Sequence, residues 1–261
     1  MKHRLQRIIR WAHIARAPVE LPRSLGLYFH ALERPDHRAF TDVIGRLRSA
    51  GYRLTGDPAD HLAAKDKVAW ISFDDNYRSW HSSLKLLEQL EVKATFYVNT
   101  WPLRGIAGPT DSIAFFDRVG HQGERVALSV PELIDLADAG HVIGAHTHTH
   151  RNLSDVPKTE AIAEISENID RLRQVLSTEV EHFAVPFGLH RYFPPSLVPP
   201  CQDRGITTIA YATPGMQYAP RQPLALYRTP WRFTRPADEN WDDLRVDGRA
   251  FVRLTGRSPV G

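Results

Sequence analysis

The feature of this chain that most restricts its fold is a repeated alternation of short apolar runs with longer stretches of helical periodicity. Leu25–His30 (LGLYFH) reads as a strand, and Phe40–Arg48 lies on a helix that stops at Gly51. Lys67–Phe73 (KVAWISF) is apolar almost throughout, the pattern of a strand covered on both faces. A helix with Trp80, Leu84 and Leu87 on one side follows, and then the strand Ala94–Val98. Ser129–Val130–Pro131–Glu132 has the spacing of a capping box and opens a helix that ends near Gly140. After a short strand His141–Ala145, the residues Ile162, Ile165, Ile169, Leu172 and Leu176 recur at helical intervals. Further strands are expected at His182–Val185, Ile206–Tyr211 and Leu226–Thr229, with a last helix beyond Pro236. Strands and helices that take turns in this way make an α/β protein with a mainly parallel sheet, open or closed into a barrel. Trp101–Val126 has no strong period and is expected to be an irregular wall beside the site.

Composition removes several classes. With 42% hydrophobic and 24% charged residues in 261, the chain is neither disordered, collagen-like nor a coiled coil. No apolar run approaches the roughly 20 residues of a membrane span. The single cysteine, Cys201, can form neither an internal disulfide nor a thiolate zinc site, and is expected to be a small buried residue. The 33 basic and 30 acidic residues are interspersed, so nucleic acid is not an expected partner. Residues 1–20 are set apart as a basic amphipathic segment from a single domain spanning 21–261. In this start Lys2, Arg4, Arg7 and Arg10 flank Leu5, Ile8, Ile9 and Trp11. That pattern suits either peripheral contact with an anionic membrane face or a terminal helix packed on the domain. No apolar export-type core follows the basic residues, so the expected location is cytoplasmic, with the inner membrane face as the place of any such contact.

Parallel α/β folds bind ligands at the carboxyl ends of their strands. Asp74 and Asp75 follow KVAWISF; His146, His148 and His150 follow HVIGA; Pro186, Phe187 and Gly188 follow HFAV; and His30 ends the first strand. Adjacent carboxylates raise one another's pKa, and a bound cation removes that cost. His146 and His150 are four apart, so on a helical turn they would face the same way and share one ion. Two imidazoles and one carboxylate leave coordination positions open for water and substrate, the arrangement of a catalytic site. The second aspartate would then stand beside the water as a base. Each piece alone has a plainer reading, a capped turn or an incidental histidine pair. Their coincidence at the strand ends of one domain points to a metal hydrolase.

These residues resemble a known family. ISFDDNY is similar to the first motif, T-F-D-D-G, of the polysaccharide deacetylases (carbohydrate esterase family four), and LIDLADAGHVIGAHTHTHRNLS to the region of their second motif, H-[ST]-x-x-H. ATFYVNT resembles their A-T-F-F-V strand and FAVPFG their third motif, in the same order from about Gly26 to Thr229. The resemblance implies a distorted (β/α) barrel of seven or eight mainly parallel strands. It also implies metal-dependent removal of N-acetyl groups from a poly- or oligosaccharide. By position, Asp75, His146 and His150 match the metal ligands and Asp74 the catalytic base. The implied cofactor is a divalent ion, zinc first, and backbone N–H groups near Phe187 and Gly188 would serve the oxyanion.

Four departures from the family pattern stand out. Asn76 replaces a glycine, which asparagine can do by also accepting positive φ. Ala184 stands where an arginine commonly orients the base. His148 occupies a variable position and is expected to point away from its neighbours. No histidine follows His190, so the late motif that supplies the general acid is missing. In exopolysaccharide-modifying relatives the barrel is permuted and an early Y-H pair takes that place; LYFHALE resembles it. His30 would then be the acid, with His190 the runner-up. Trp231, beside Arg228 and Arg232, lines the rim of a sugar site or packs in the core. Two other functions compete: a non-catalytic carbohydrate-binding homologue, and a deacylase of O-acetyl esters or other small amides.

Overall fold

The apolar runs pair side by side in one parallel sheet. The computed structural model describes residues 20–63, 65–108, 110–214 and 224–248; the basic amphipathic start of the chain lies outside them. In chain order the elements are β1 (Ser24–Phe29), α1 (His37–Ser49), β2 (Arg53–Thr55), α2 (Pro58–Ala63), β3 (Val68–Asp75), α3 (Ser79–Ser82), α4 (Leu84–Gln89), β4 (Thr95–Val98), α5 (Asp111–Val119) and α6 (Val130–Asp138). They continue with β5 (Val142–Ala145), α7 (Lys158–Leu176), β6 (His182–Ala184), α8 (Val198–Asp203), β7 (Thr208–Tyr211), β8 (Leu224–Tyr227), β9 (Thr229–Pro230) and α9 (Ala237–Asp243). The sheet runs β8-β7-β6-β5-β4-β3-β1-β9. β2 pairs with the first half of β3 and β4 with the second half.

β8 and β9 stand at opposite ends of this order, yet Arg228 alone separates them in the chain. β8 pairs with β7 while β9 pairs with β1, so this stretch carries the last edge of the sheet round to the first. The result is a distorted (β/α) barrel. The seam is tight: a Cβ on Gly26 of β1 would stand 2.6 Å from the Tyr227 carbonyl oxygen. The single strand expected at Leu226–Thr229 is therefore two, because one straight strand cannot pair with both edges.

Side chains alternate across each strand and so divide the apolar residues into two layers. Phe29, Phe73 and Phe96 face outward and stack in series, with ring centroids 5.3 and 5.1 Å apart, under helix residues such as Phe40 and Trp80. Trp70, Tyr97, Ala184, Ala210 and Leu226 form a separate cluster inside the barrel. The same alternation that turns Trp70 and Ser72 inward turns Asp74 inward at the mouth.

Two helical expectations change. The helix of Trp80, Leu84 and Leu87 is split into α3 and α4 at Ser83, whose hydroxyl donates to the Leu32 carbonyl at 2.9 Å. The supposed irregular wall Trp101–Val126 contains α5, whose Phe115 and Phe116 are buried while Ile113 is exposed. Adjacent phenylalanines spoil the helical period. The legible signal was Gly120, the left-handed C-cap at φ 71°. The capping box at Ser129 and Glu132 is present as expected.

Candidate active site

Asp74 and Asp75 are the last two residues of β3 and point to different places. Asp75 has φ 86°, a strained value for a non-glycine residue, and this bend swings its carboxylate away from the barrel axis. The positive φ expected at Asn76 thus belongs to its neighbour. Asn76 instead ties loops together: its Nδ2 donates to the Asn99 carbonyl at 2.8 Å and its Oδ1 accepts from the Leu128 N–H at 2.9 Å.

His146 follows β5, and the segment to His150 is an irregular loop rather than the helical turn assumed from its spacing, with Thr147 and His150 at φ 64° and 58°. The loop is built by its neighbours. Asn168 of α7 accepts from the His146 N–H at 2.9 Å, and Asn99 donates to the Thr147 carbonyl at 2.9 Å. Glu164 accepts from the N–H and the hydroxyl of Thr149 at 2.8 and 2.6 Å. His148 points away to Thr100 Oγ1 (3.0 Å) and Glu167 (3.5 Å), as expected.

By this different route the two imidazoles still converge. Asp75 Oδ1 lies 3.5 Å from His146 Nε2 and 3.3 Å from His150 Nε2. Donors about 2.0–2.1 Å from a tetrahedral ion would be separated by about 3.3 Å, so the spacing fits a divalent cation. The His146 Nδ1–H donates to the Ala184 carbonyl at 2.8 Å, which leaves Nε2 with its lone pair facing Asp75. The His150 ring is held by Phe187 (centroids 4.8 Å) and Phe115 (6.4 Å). Burial pushes His150 down to about 4, so it is a neutral imidazole at neutral pH, the form that binds a metal. Burial alone would raise the Asp75 carboxyl; the facing imidazoles, His146 first, outweigh it and hold the carboxyl well below the usual range.

Asp74 meets Arg228 inside the barrel in a two-pronged pair: Nη1 to Oδ1 at 2.6 Å and Nη2 to Oδ2 at 2.8 Å. Arg228 Nη1 also donates to Ser72 Oγ at 3.0 Å. The guanidinium carbon lies 4.8, 5.0 and 5.6 Å from the ring centroids of Tyr28, Tyr97 and Trp70. Burial pulls this guanidinium's pKa down, and the Asp74 carboxylate raises it by more, so it stays charged. Two of the four lone-pair sites on the carboxylate remain for other partners. The arginine absent at position 184 is therefore supplied from the barrel seam. Of the two readings of Trp231, the structure shows core packing: it is buried on Trp241 at 5.1 Å, and its neighbour Arg228 is completely buried.

His30 ends at the same mouth, its Nε2 3.9 Å from Asp75 Oδ2 and its side chain 49% exposed. His190, the alternative acid, stacks on Tyr211 at 3.8 Å. In the turn after β6, Phe187 (φ 60°) is exposed beside His150, while Gly188 (φ 71°) donates its N–H to the Val185 carbonyl at 2.9 Å. That bond occupies the Gly188 N–H within the turn. Gly188's own part is steric, because a Cβ there would lie 2.0 Å from the Ala212 Cβ. Gly188→Ala is expected to lower stability by about 1–3 kcal/mol, measured as a fall in the urea midpoint at unchanged slope. An unchanged midpoint would show that this turn tolerates a side chain. Cys201 is buried and its thiol is pushed up to about 12, as an inert core residue should be.

A sequence model described as polysaccharide deacetylase matches residues 61–192, half of the chain. No curated protein matches. Similar solved structures include the Streptococcus pyogenes deacetylase PplD in complex with acetate, with TM-score 0.64 and 17% identity over 86% of this chain and 99% of that one. IcaB from Ammonifex degensii has TM-score 0.63 and 18% identity over 84% of this chain and 97% of that one. The BpsB deacetylase domain from Bordetella bronchiseptica has TM-score 0.62 and 15% identity over 82% and 98%. At such identities the likeness to these structures is one of fold.

Proposed function

Because the chain belongs to the polysaccharide deacetylase family, we propose that it is a divalent-metal hydrolase that removes N-acetyl groups from a saccharide. The observation that carries the proposal is the pairing, at one barrel mouth, of the donor set Asp75, His146 and His150 with an arginine-clamped second carboxylate, Asp74. A site that only binds sugar has no use for the second carboxylate.

A divalent ion bound by the three donors, zinc first, would polarise the acetamide carbonyl and lower the pKa of water. Asp74, its plane fixed by Arg228, takes the proton from the attacking water on a lone pair that the arginine leaves free. As the carbonyl oxygen gains charge, the Phe187 N–H donates to it. The C–N bond then breaks as the His30 Nε2–H gives its proton to the nitrogen, releasing acetate and the amino sugar. His30 suits this role by standing at the mouth beside the donor set and by being half exposed, able to reload its proton from water.

The test is acetate release from N-acetylglucosamine oligomers by the zinc-loaded protein, before and after a chelator and after zinc is returned. Release that follows the metal supports the reading; no release with zinc bound overturns it in favour of another acyl substrate or a binding protein. His30→Ala is expected to reduce kcat about 10²-fold, the lower end of the range for acid catalysis, because water reaches this position. A leaving group that is already acidic, such as a nitrophenyl amide, should lose much less. Equal losses on both substrates would remove His30 from the acid role.

A further inference from the structure

The two oxygens of Asp75 have different surroundings. Oδ1 faces both imidazoles, whereas Oδ2 accepts a hydrogen bond from Tyr77 Oη at 3.0 Å. Tyr77 is almost fully buried, and its ring is clamped by His121, Phe116 and Trp80 at centroid distances of 4.6, 5.4 and 5.9 Å. The phenol cannot turn aside without disturbing these contacts. A free carboxylate can engage a cation through both oxygens. One whose second oxygen is tied to a fixed donor engages through the other.

We propose that Tyr77 is a positioning residue that makes Asp75 a one-oxygen ligand, and so keeps a coordination position open for water or substrate. The inference rests on the metal reading of Asp75, His146 and His150. It assigns to the turn after β3 a role that the motif residues alone do not supply.

The test uses the full chain in three forms: wild type, Tyr77→Phe, and Tyr52→Phe as a control. The control removes another tyrosine hydroxyl, one that donates to the Pro22 carbonyl at 2.5 Å on a different part of the molecule. Zinc affinity is read by competition with a chromophoric chelator, and coordination number from the visible bands of the cobalt-substituted protein. Tyr77→Phe is expected to weaken zinc binding about 10–100-fold and to reduce the intensity of the cobalt bands as Asp75 adds its second oxygen. Tyr52→Phe should change neither. Unchanged affinity and spectrum in Tyr77→Phe would overturn the proposal while leaving the metal reading intact. Weaker binding with an unchanged spectrum would also overturn it, by reducing Tyr77 to packing. A wild type that binds no zinc would remove the metal reading and this inference with it.

Discussion

Asp74→Asn is expected to lower kcat for acetate release about 10²–10⁴-fold, the usual contribution of a positioned base, with KM and zinc stoichiometry close to wild type. The reasoning is geometric. Asparagine keeps the shape of the side chain and one oxygen for Arg228, but its amide nitrogen cannot accept the proton of the attacking water. The candidate metal donors are Asp75, His146 and His150, and Asp74 is not among them but is paired with Arg228, so ion binding should survive. An effect on kcat with KM held marks an interaction made in the transition state. One side effect is predictable: the amide N–H₂ would face an arginine N–H, leaving a buried donor unsatisfied at a cost of about 1–3 kcal/mol. Rates should therefore be compared well below the unfolding transition, with zinc content measured on the same samples. A variant that keeps wild-type kcat would end the base assignment, and one that loses zinc would place Asp74 among the ligands.

What the sequence made legible was local. The nearly continuous apolarity of Lys67–Phe73 marked a buried strand, and strand ends in parallel sheets are where ligands sit, so Asp74, Asp75, His146 and His150 could be singled out from short stretches. The convergence of His146 and His150 was right, although the assumed helical turn is a loop held by Asn99, Glu164 and Asn168. Those supporting side chains come from β4's end and from α7, and no short pattern links them to the histidines. Arg228 was the largest omission. It lies 154 residues from Asp74 in the chain, and its role depends on barrel closure, which local periodicity does not encode. The one available sign was a charged residue inside the apolar run from Leu224 to Pro230, and an arginine there reads equally well as a rim residue. The orientation of Asp75 by Tyr77 was hidden for a similar reason: the clamp on the tyrosine ring includes Phe116 from α5, a helix with no clear period.

The Arg228–Asp74 pair yields the sharpest stability prediction. Arg228→Met is expected to destabilise the protein by about 3–5 kcal/mol, because it leaves a carboxylate buried without its partner. Activity should fall with it, since the carboxylate loses the donors that fix its plane. Arg228→Lys should restore little: an ammonium is a point donor and cannot match both oxygens in the way that Nη1 and Nη2 do at 2.6 and 2.8 Å. The double variant Asp74→Asn/Arg228→Met should be more stable than Arg228→Met alone. Replacing both members of a buried ion pair by neutral groups is often close to neutral, whereas breaking one is not. Urea unfolding of the four proteins closes the cycle. Non-additivity with recovery in the double variant identifies the pair as a unit retained for catalysis, since stability without it would be regained while activity would not. Additive losses would mean that Arg228 acts mainly through its contacts with Tyr28, Tyr97 and Trp70, and that the base is oriented by something else.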